Sequence, residues 1–512
     1  MSASATVPAL HLTRGRLLAR NTLWNLLGSG APALVALFAI PILIRHIGVS
    51  RFGVLTIIWT VVGYFSLFDL GLGAALTRMV ADRLGTGQKE EIPSLVWTSL
   101  ALMLGLSLLG AVVLAALSPT LVHSILKVPT TLQPESLGAF LLLAGCLPFM
   151  ITTTGLRGVL EAQQHFGVVN AIRIPTNAFT FVGPLAVLPF SNSLVPVVAV
   201  LAAGRILAWM AYLMSCLKAM PELRTRFTCA RYHVGYVLRF GTWMTVRNVI
   251  SALMFYVDRI LIGAMVSLAA VAYYATPFEV VSRLLTIPSA LAGVLFPAFT
   301  VTFSQDRNRT AWLLLRGQKY IFLAIFPIIL VIVTLANDGL RFWLGAEFAL
   351  NSTSVLRWLA AGVFLNSLGV LPWVLIQGAG RPDLTAKFHM IELALYLPIL
   401  WFMVKHYGVR GAAIAWTARV LLDTMFLLFA AQHFLRQQGR FAGRMGAAIA
   451  SALTLLWVAT LPSTASERVL FLAAALLLLV GISMVLLLPE ERRWLQLAVA
   501  ARAYEPQSSE TI

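Results

Sequence analysis

The sequence predicts an all-α polytopic membrane protein with about 14 transmembrane helices. Of its 512 residues, 59% are hydrophobic and only 11% are charged, whereas roughly a quarter of the residues of a soluble protein are charged. Apolar segments of about 20 residues, the length that a helix needs to cross a bilayer, recur along the whole chain. These helices are expected to form two six-helix lobes related by pseudo-twofold symmetry, followed by a C-terminal helix pair.

The first apolar segment follows a basic stretch that contains Arg14, Arg16 and Arg20. Such a stretch also precedes the apolar part of a secretory signal, but that part is roughly 7 to 15 residues long. Here the apolar run extends from Leu23 to Ile44 and another run follows almost at once, so it is interpreted as a transmembrane helix. The fourteen predicted spans are 23–44, 53–76, 95–117, 137–156, 168–190, 194–217, 236–257, 273–301, 320–336, 355–378, 389–404, 409–431, 443–461 and 469–488.

Lysine and arginine residues are unequally divided between alternate loops of this series. With the amino terminus placed inside, 24 of the 38 basic residues fall in inner segments and 8 in outer segments. Because cytoplasmic loops are enriched in Lys and Arg, both the N-terminus and the C-terminus are predicted to be cytoplasmic. The same distribution explains most of the net charge of +18, so nucleic acid is not expected as a partner.

Short internal matches at a nearly constant shift predict the two lobes. Ile42-Leu43-Ile44 matches Ile260-Leu261-Ile262 at a shift of 218, and Gly204-Arg205-Ile206-Leu207 resembles Ala418-Arg419-Val420-Leu421 at a shift of 214. A repeat with an even number of helices places the symmetry axis along the membrane normal, so the cleft between the lobes is the predicted transport path. The predicted parts are a cytoplasmic segment at 1–22, an N-lobe at 23–220, a C-lobe at 221–435, helices 13 and 14 at 436–490, and a cytoplasmic tail at 491–512.

Charged residues inside the predicted spans are the candidate site. A charge at the centre of a bilayer costs about 2.5 to 3.5 kcal/mol on insertion scales, so such residues usually face a protein interior or a water-filled cavity. The basic ones, inside or near the ends of spans, are Arg173, Arg205, Arg247, Arg283, Arg357 and Arg419. The acidic ones at comparable depth are Asp69, Glu279, Glu392 and Asp423. Because the basic residues are more numerous, the cavity is expected to prefer an anion.

Spacing leaves two interpretations open for several of these residues. Glu279 and Arg283 are four residues apart, as are Arg419 and Asp423, so each pair could share one helix face as an internal ion pair or take part in binding. Asp69 could bind a proton or Na⁺ for ion coupling, or pair with a cavity arginine. Asp258 and Arg259, by contrast, are predicted at a helix end, where a solvated or structural role is expected.

Several classes of function are disfavoured by the sequence. It contains no GxxxxGK[ST] phosphate loop, which argues against built-in ATP hydrolysis. Cys146, Cys216 and Cys229 share no metal-ligand spacing, so neither a metal nor another cofactor is expected. The longest outer loop, near 118–136, has about 19 residues and no paired carboxylates, and the protein is therefore not expected to be an enzyme.

Several motifs resemble a known family. Asn25, Gly28 and Phe68-Asp69-Leu70-Gly71-Leu72-Gly73 resemble the opening of the Wzx-like polysaccharide-biosynthesis flippases of the MOP exporter superfamily, which serve O-antigen and exopolysaccharide synthesis. Asp258-Arg259-Ile260-Leu261-Ile262-Gly263 and Gln377-Gly378-Ala379-Gly380-Arg381 resemble the second half of these proteins. The resemblance extends over roughly residues 15 to 490.

The resemblance implies a V-shaped pair of six-helix bundles that flips an undecaprenyl-diphosphate-linked oligosaccharide across the bacterial inner membrane by alternating access. Arginines suit a diphosphate by charge and by forked hydrogen bonds. Arg247, Arg283, Arg173, Arg205 and Arg419 would then form the cationic substrate site. The implied partners are the lipid-linked oligosaccharide and membrane lipids, with polysaccharide polymerase and chain-length proteins as further candidates.

Three alternatives remain open at this point. Lipid II flippases of the same superfamily carry two additional helices, as predicted here. Multidrug antiporters of the superfamily export cations and would have a cleft dominated by carboxylates. A non-transporting scaffold of a glycan assembly complex belongs to another functional class, and it predicts that neutralising the cavity arginines leaves surface polysaccharide unchanged.

Overall fold

The computed structural model describes residues 35–67, 72–225, 254, 256–435 and 440–486. Within these ranges the chain forms helices and their connecting turns, without any β-strand. The helices are α1 (35–47), α2 (Val49–Leu67), α3 (Leu72–Gly85), α4 (Ile92–Thr120), α5 (Gln133–Ala162), α6 (Phe166–Val187), α7 (Leu194–Ala219), α8 (Glu222–Thr225), α9 (256–265), α10 (Leu268–Ser282), α11 (Thr286–Gln305), α12 (Arg307–Thr334), α13 (Ala336–Leu344), α14 (Ala346–Gly378), α15 (Pro382–Leu435), α16 (Arg440–Val458) and α17 (Ala465–Leu486).

The predicted all-helical, multi-pass membrane architecture is confirmed. Each of the fourteen predicted spans includes helical residues, and seven helical stretches are by themselves long and apolar enough to cross a membrane. The eleventh and twelfth spans both lie in α15, which breaks at Gly408, where φ is 57°, a value that glycine adopts without steric cost. The eighth span is interrupted, because α10 ends at Ser282 and Arg283–Leu285 form a 3₁₀ turn before α11.

Side-chain caps fix the starts of two helices in the second half of the chain. The hydroxyl oxygen of Ser267 accepts a hydrogen bond from the backbone N–H of Ala270 in α10. The carboxylate of Asp306 accepts hydrogen bonds from the backbone N–H groups of Asn308 and Arg309 in α12. Such caps satisfy N–H groups that have no partner in the first turn of a helix, one of them in α10 and two in α12.

The helices pack in two groups that follow the order of the chain. In the first group, α5 packs against α3, α4 and α7, and in the second, α14 packs against α10, α11, α12 and α15. The contact between α14 and α15 is close because a Cβ on Gly362 would lie 2.3 Å from the indole of Trp416. The domain boundaries and the pseudo-twofold relation stay predictions, since residues 226–253 and 436–439 at the junctions are almost entirely outside the described residues.

The two groups meet at the end of the bundle that the charge pattern predicts to be the outer face. Here α2 packs against α10, and a Cβ on Gly53 would lie 2.0 Å from the carbonyl oxygen of Leu268. The backbone N–H of Lys127 donates to the carbonyl oxygen of Gly263 at 3.1 Å, and its Nζ donates to that of Met265 at 2.7 Å. These contacts join the first group directly to the end of α9 and the start of α10.

The buried apolar side chains of the first group form separate cores at the two ends of the bundle. One large apolar core runs through both groups, and its part in the first group, which includes Phe52, Phe140 and Val197, lies at the predicted outer end. A separate core, which includes Leu156 and Leu223, fills the predicted cytoplasmic end of the first group. Among the described residues, the apolar core shared by the two groups therefore includes the predicted outer end of the first group but not its predicted cytoplasmic end.

Candidate functional site

A cavity of about 560 Å³ lies between the two helix groups. Residues of α1, α2, α5, α6 and α7 line it on one side, and residues of α9, α10 and the following turn line it on the other. Sites for small molecules usually measure about 300 to 1,000 Å³, so this cavity has room for a headgroup rather than a polymer. The end towards the predicted cytoplasmic face is called the mouth below, and the end where α2 meets α10 is called the blind end.

Arginine dominates the charged lining of this cavity. Among the described lining residues, Glu279 is the single carboxylate, and the arginines are Arg157, Arg173, Arg205, Arg259 and Arg283. Charged residues in spanning helices are stable where they face such a polar interior. An excess of four positive charges in one cavity favours an anionic ligand.

Two of these arginines lie near the mouth and have partners on their own helices. Arg157, close to the end of α5, places Nε 3.3 Å from a carboxylate oxygen of Glu161. Arg173, in the second turn of α6, donates from Nη2 to Oδ1 of Asn170 at 2.8 Å. A half-exposed pair of this kind is weak in water, so both guanidinium groups retain donors for a ligand.

Arg283 and Glu279 combine the two interpretations that their spacing left open. They form an ion pair, and both side chains also line the cavity. Arg283 begins the 3₁₀ turn that follows α10, so its side chain projects from a break in the predicted eighth span. The pair is electrically neutral as a unit, which makes Arg283 a weaker anion ligand than its position alone would suggest.

Arg205 differs from the other lining arginines, because no described residue forms an ion pair or a hydrogen bond with its guanidinium group. It lies in the middle of α7, about 16 Å from Leu194 at the helix start for a rise of 1.5 Å per residue. A charge at such depth is costly unless it is paired. Its five N–H donors make Arg205 the strongest candidate for contact with an anion.

Comparison with known proteins identifies the family of this chain. The profile of the family described as "Polysaccharide biosynthesis protein" matches residues 18–303. The chain is also 31% identical over 418 residues to the "Putative O-antigen transporter" of Shigella flexneri, a match that covers 80% of this chain and 96% of that protein. The chain belongs to the polysaccharide biosynthesis protein family.

Solved structures place this family member in the fold of the MOP superfamily. The lipid II flippase MurJ in an inward closed conformation superposes with a TM-score of 0.69 at 14% identity, covering 90% of this chain and 98% of that one. An inward-facing multidrug resistance MATE family transporter superposes with a TM-score of 0.68 at 14% identity, covering 80% and 96%. The family match and the O-antigen transporter relative, together with this fold, confirm the resemblance that the sequence motifs indicated.

The predicted position of Asp258 and Arg259 in this polysaccharide biosynthesis protein was wrong. They do not lie at a helix end, because α9 continues to residue 265, and Arg259 is only 6% exposed. Asp258 accepts a hydrogen bond from the hydroxyl of Tyr274, and the Arg259 guanidinium lies 5.2 Å from the ring centres of Tyr256 and Phe278. The apolar run that follows the two charges was the signal that the helix continues.

Arg157 is a second lining residue that the sequence did not predict. The predicted fourth span ended at residue 156, so Arg157 was counted with an inner loop, whereas α5 continues to Ala162. Helices of membrane proteins often extend beyond their apolar window into the aqueous boundary. A helical spacing of four residues between Arg157 and Glu161 was the available signal.

Arg419 and Asp423 differ from what their spacing suggested, and a role of Arg419 in substrate binding stays a prediction. Arg419 does not line the cavity, and the two residues do not pair with each other. Arg419 instead donates from Nη1 to Oε1 of Glu392 at 3.1 Å, with side-chain exposures of 11% and 4%, and its guanidinium lies over the ring of Tyr396. Because the two halves of α15 are antiparallel, tertiary partners on the neighbouring half replace the partner on the same face.

Asp423 belongs to a small polar cluster in the second helix group. Its Oδ1 lies 3.6 Å from Nε2 of His389, and ligand atoms of these two residues and Glu392 lie within 4.8 Å of one another. This contact is an ion pair only when His389 is protonated, and the roles of Asp423 in structural pairing and in ion coupling stay predictions. Arg247 and Asp69 lie outside the residues that the structure describes, and their predicted roles in substrate binding and in ion coupling also stay predictions.

Proposed function

We propose that this protein carries a lipid-linked oligosaccharide, attached to undecaprenyl diphosphate, across the bacterial inner membrane by alternating access. The observation that carries the proposal is the arginine-lined cavity between the helix groups, with Arg205 unpaired among the described residues. Guanidinium groups bind phosphate oxygens through charge and forked hydrogen bonds. The relative named as a putative O-antigen transporter supports a cargo of the same class.

In the proposed cycle the diphosphate enters at the mouth between Arg157, Arg173 and Arg283 and then reaches Arg205. The polyprenyl chain stays in lipid, and no covalent bond is made or broken. Both termini lie in the cytoplasm in this proposal, which places the mouth on the cytoplasmic side. The cargo therefore moves outward. An inside-negative potential favours that direction by about 2.3 kcal/mol per charge per 100 mV if no ion compensates.

Other transported substrates fit the cavity less well or need a separate test. Cation export, the activity of multidrug antiporters, does not match a lining with five arginines and one described carboxylate. Lipid II also carries a diphosphate, so arginines alone do not distinguish it from an oligosaccharide precursor. Transport measured with both lipids separates these two functions, and we expect faster transport of the oligosaccharide precursor.

The substitution Arg205→Ala tests the proposal. Removing hydrogen bonds to a charged group costs about 1.5 to 3 kcal/mol, which predicts a loss of transport of about 10- to 150-fold. The readouts are surface polysaccharide and the amount of lipid-linked repeat unit that remains on the cytoplasmic leaflet. Arg410→Ala serves as the matched control, because Arg410 is exposed and lies away from the cavity.

A stably inserted Arg205→Ala protein with normal surface polysaccharide would contradict the proposed site. If Arg247→Ala and Arg283→Ala, added to the same variant, also left surface polysaccharide unchanged, the protein would be a scaffold rather than a transporter. Association with polysaccharide polymerase or chain-length proteins is part of the same proposal. It predicts that these proteins co-purify with the wild type and with the Arg205→Ala variant alike.

A further inference from the structure

Threonine is the most frequent uncharged residue of the cavity lining. Seven threonines on four helices face the cavity, and they are Thr56, Thr60, Thr153, Thr154, Thr176, Thr180 and Thr276. Threonines of spanning helices are common, but here they converge from both helix groups on one volume. A role for this set is not explained by the binding of a diphosphate, which the arginines already provide.

The hydrogen bonds of these threonines leave their oxygens as acceptors. Thr56 donates to the carbonyl oxygen of Phe52 and Thr60 donates to that of Thr56, both at 2.9 Å. Thr180 donates to the carbonyl oxygen of Thr176 at 3.2 Å, and Thr153 makes the same type of bond within α5. A threonine hydroxyl has one proton and two lone pairs, so each oxygen with a committed proton offers the cavity an acceptor.

Two buried polar atoms at the same cavity have no partner. Thr276 is only 2% exposed, and its Oγ1 has no hydrogen bond among the described residues. Nε1 of Trp59 is likewise buried without an acceptor, and both residues line the cavity. Buried polar atoms are nearly always hydrogen-bonded in proteins. Both atoms are covered by neighbouring protein atoms, so a ligand in the cavity would bond to them after the side chains that cover them move.

The threonines lie deeper than the arginines of the mouth. On α6, Thr180 lies seven residues beyond Arg173, which is about 10 Å of helix. Thr56 and Thr60 lie on α2, which starts at the predicted outer end and passes the blind end. From the mouth inward, the lining thus gains hydroxyl acceptors, while guanidinium donors continue with Arg205 and Arg259.

A lining with both guanidinium donors and hydroxyl acceptors can bind both parts of a lipid-linked glycan. A diphosphate has no proton to donate at neutral pH, whereas a sugar offers several hydroxyl groups and, in an acetamido sugar, an N–H. We propose that Thr60, Thr180 and Thr276, together with Trp59, recognise the sugar that follows the diphosphate, and this inference rests on the proposed function. The blind end then selects for the glycan, while the arginines bind a group that every cargo of this class shares.

The test compares binding of two probes to purified protein in detergent. The probes are undecaprenyl diphosphate without a sugar and undecaprenyl diphosphate carrying one acetamido sugar. In the wild type the sugar is expected to raise affinity. Thr60→Val and Thr180→Val are expected to lower the affinity for the sugar-bearing lipid by about 3- to 10-fold per lost hydrogen bond. Affinity for the sugar-free lipid stays unchanged, because valine keeps the shape and removes only the oxygen.

Two controls separate recognition from stability. Thr334→Val removes a hydroxyl that is also buried and bonded to its own helix, at 2.7 Å from the carbonyl oxygen of Leu330, but Thr334 does not line the cavity. It should bind both probes like the wild type. Thr60→Ser, which restores an oxygen, should recover part of the sugar-dependent gain.

The inference is overturned if the wild type binds both probes equally, or if the valine variants keep the full gain from the sugar. It is also overturned if these variants lose affinity for both probes to the same extent, because that result indicates a structural role. Failure of the proposed function gives a different result, in which neither probe binds and Arg205→Ala has no effect.

Discussion

Gly53 allows the two helix groups to touch at the predicted outer end. Adding one methyl group at this position, by Gly53→Ala, should separate the groups at that end. A Cβ on Gly53 would lie 2.0 Å from the carbonyl oxygen and 2.6 Å from the carbonyl carbon of Leu268. Because both atoms belong to the backbone, no side-chain rotation relieves the clash, and the groups must separate by at least about 1 Å to reach a tolerable contact. Overpacking of this kind costs about 1 to 3 kcal/mol, which shifts a two-state equilibrium by roughly 5- to 150-fold.

Distances between spin labels at the outer ends of the groups measure this shift. Phe190 and Phe342 are suitable positions, since both are strongly exposed near that end. The native cysteines Cys146, Cys216 and Cys229 are first replaced. In the Gly53→Ala protein the distance distribution between the labels should move to longer values, and transport should slow because the closed outer end is needed to load cargo from the cytoplasm.

Gly105→Ala is the matched control, because Gly105 lies in α4 and a Cβ there meets no atom within 4 Å. Alanine favours a helix over glycine by about 1 kcal/mol, so this control should be neutral or stabilising. A folded Gly53→Ala protein with the wild-type distance distribution would refute the reasoning.

Two further predictions concern charged pairs. Glu392→Ala leaves the nearly buried Arg419 without its partner and should destabilise the protein by about 3 to 5 kcal/mol, seen as a lower melting temperature in detergent. Asp383→Ala, which breaks an exposed ion pair, should cost at most about 1 kcal/mol, and equal effects of the two would contradict this account. Glu279→Gln frees Arg283 from its ion pair and should tighten binding of sugar-free undecaprenyl diphosphate; unchanged affinity would show that the pair does not limit binding.

Much of the architecture could be predicted from the sequence because membrane spans follow from local composition. Apolar runs of sufficient length predicted fourteen spans, each of which includes described helical residues, and the excess of arginine over carboxylate in those spans predicted a cationic cavity. Arg173, Arg205 and Arg283, chosen as charges inside spans, do line one cavity. Their contact with substrate is still a prediction that the variants above test.

The parts that sequence reasoning missed depend on tertiary structure. Arg157 was counted with an inner loop and Arg259 was placed at a helix end, because an apolar window ends where a charge begins, although each helix continues beyond it along the polar cavity. Arg419 has its partner on the neighbouring half of α15 rather than four residues away. The threonine lining gave no signal either, since a hydroxyl in an apolar run is usual and convergence from four helices is visible only in three dimensions.

The division of the first helix group into two apolar cores has a mechanical consequence. In α5 the cores change between Met150 and Ile151, two residues after Pro148, a proline inside the helix. Proline removes one backbone hydrogen bond and bends a helix locally. The cytoplasmic half of this group can therefore bend near Pro148 while the outer half stays packed against α10. Access to the cavity would then alternate by bending within one group as well as by movement of two rigid groups.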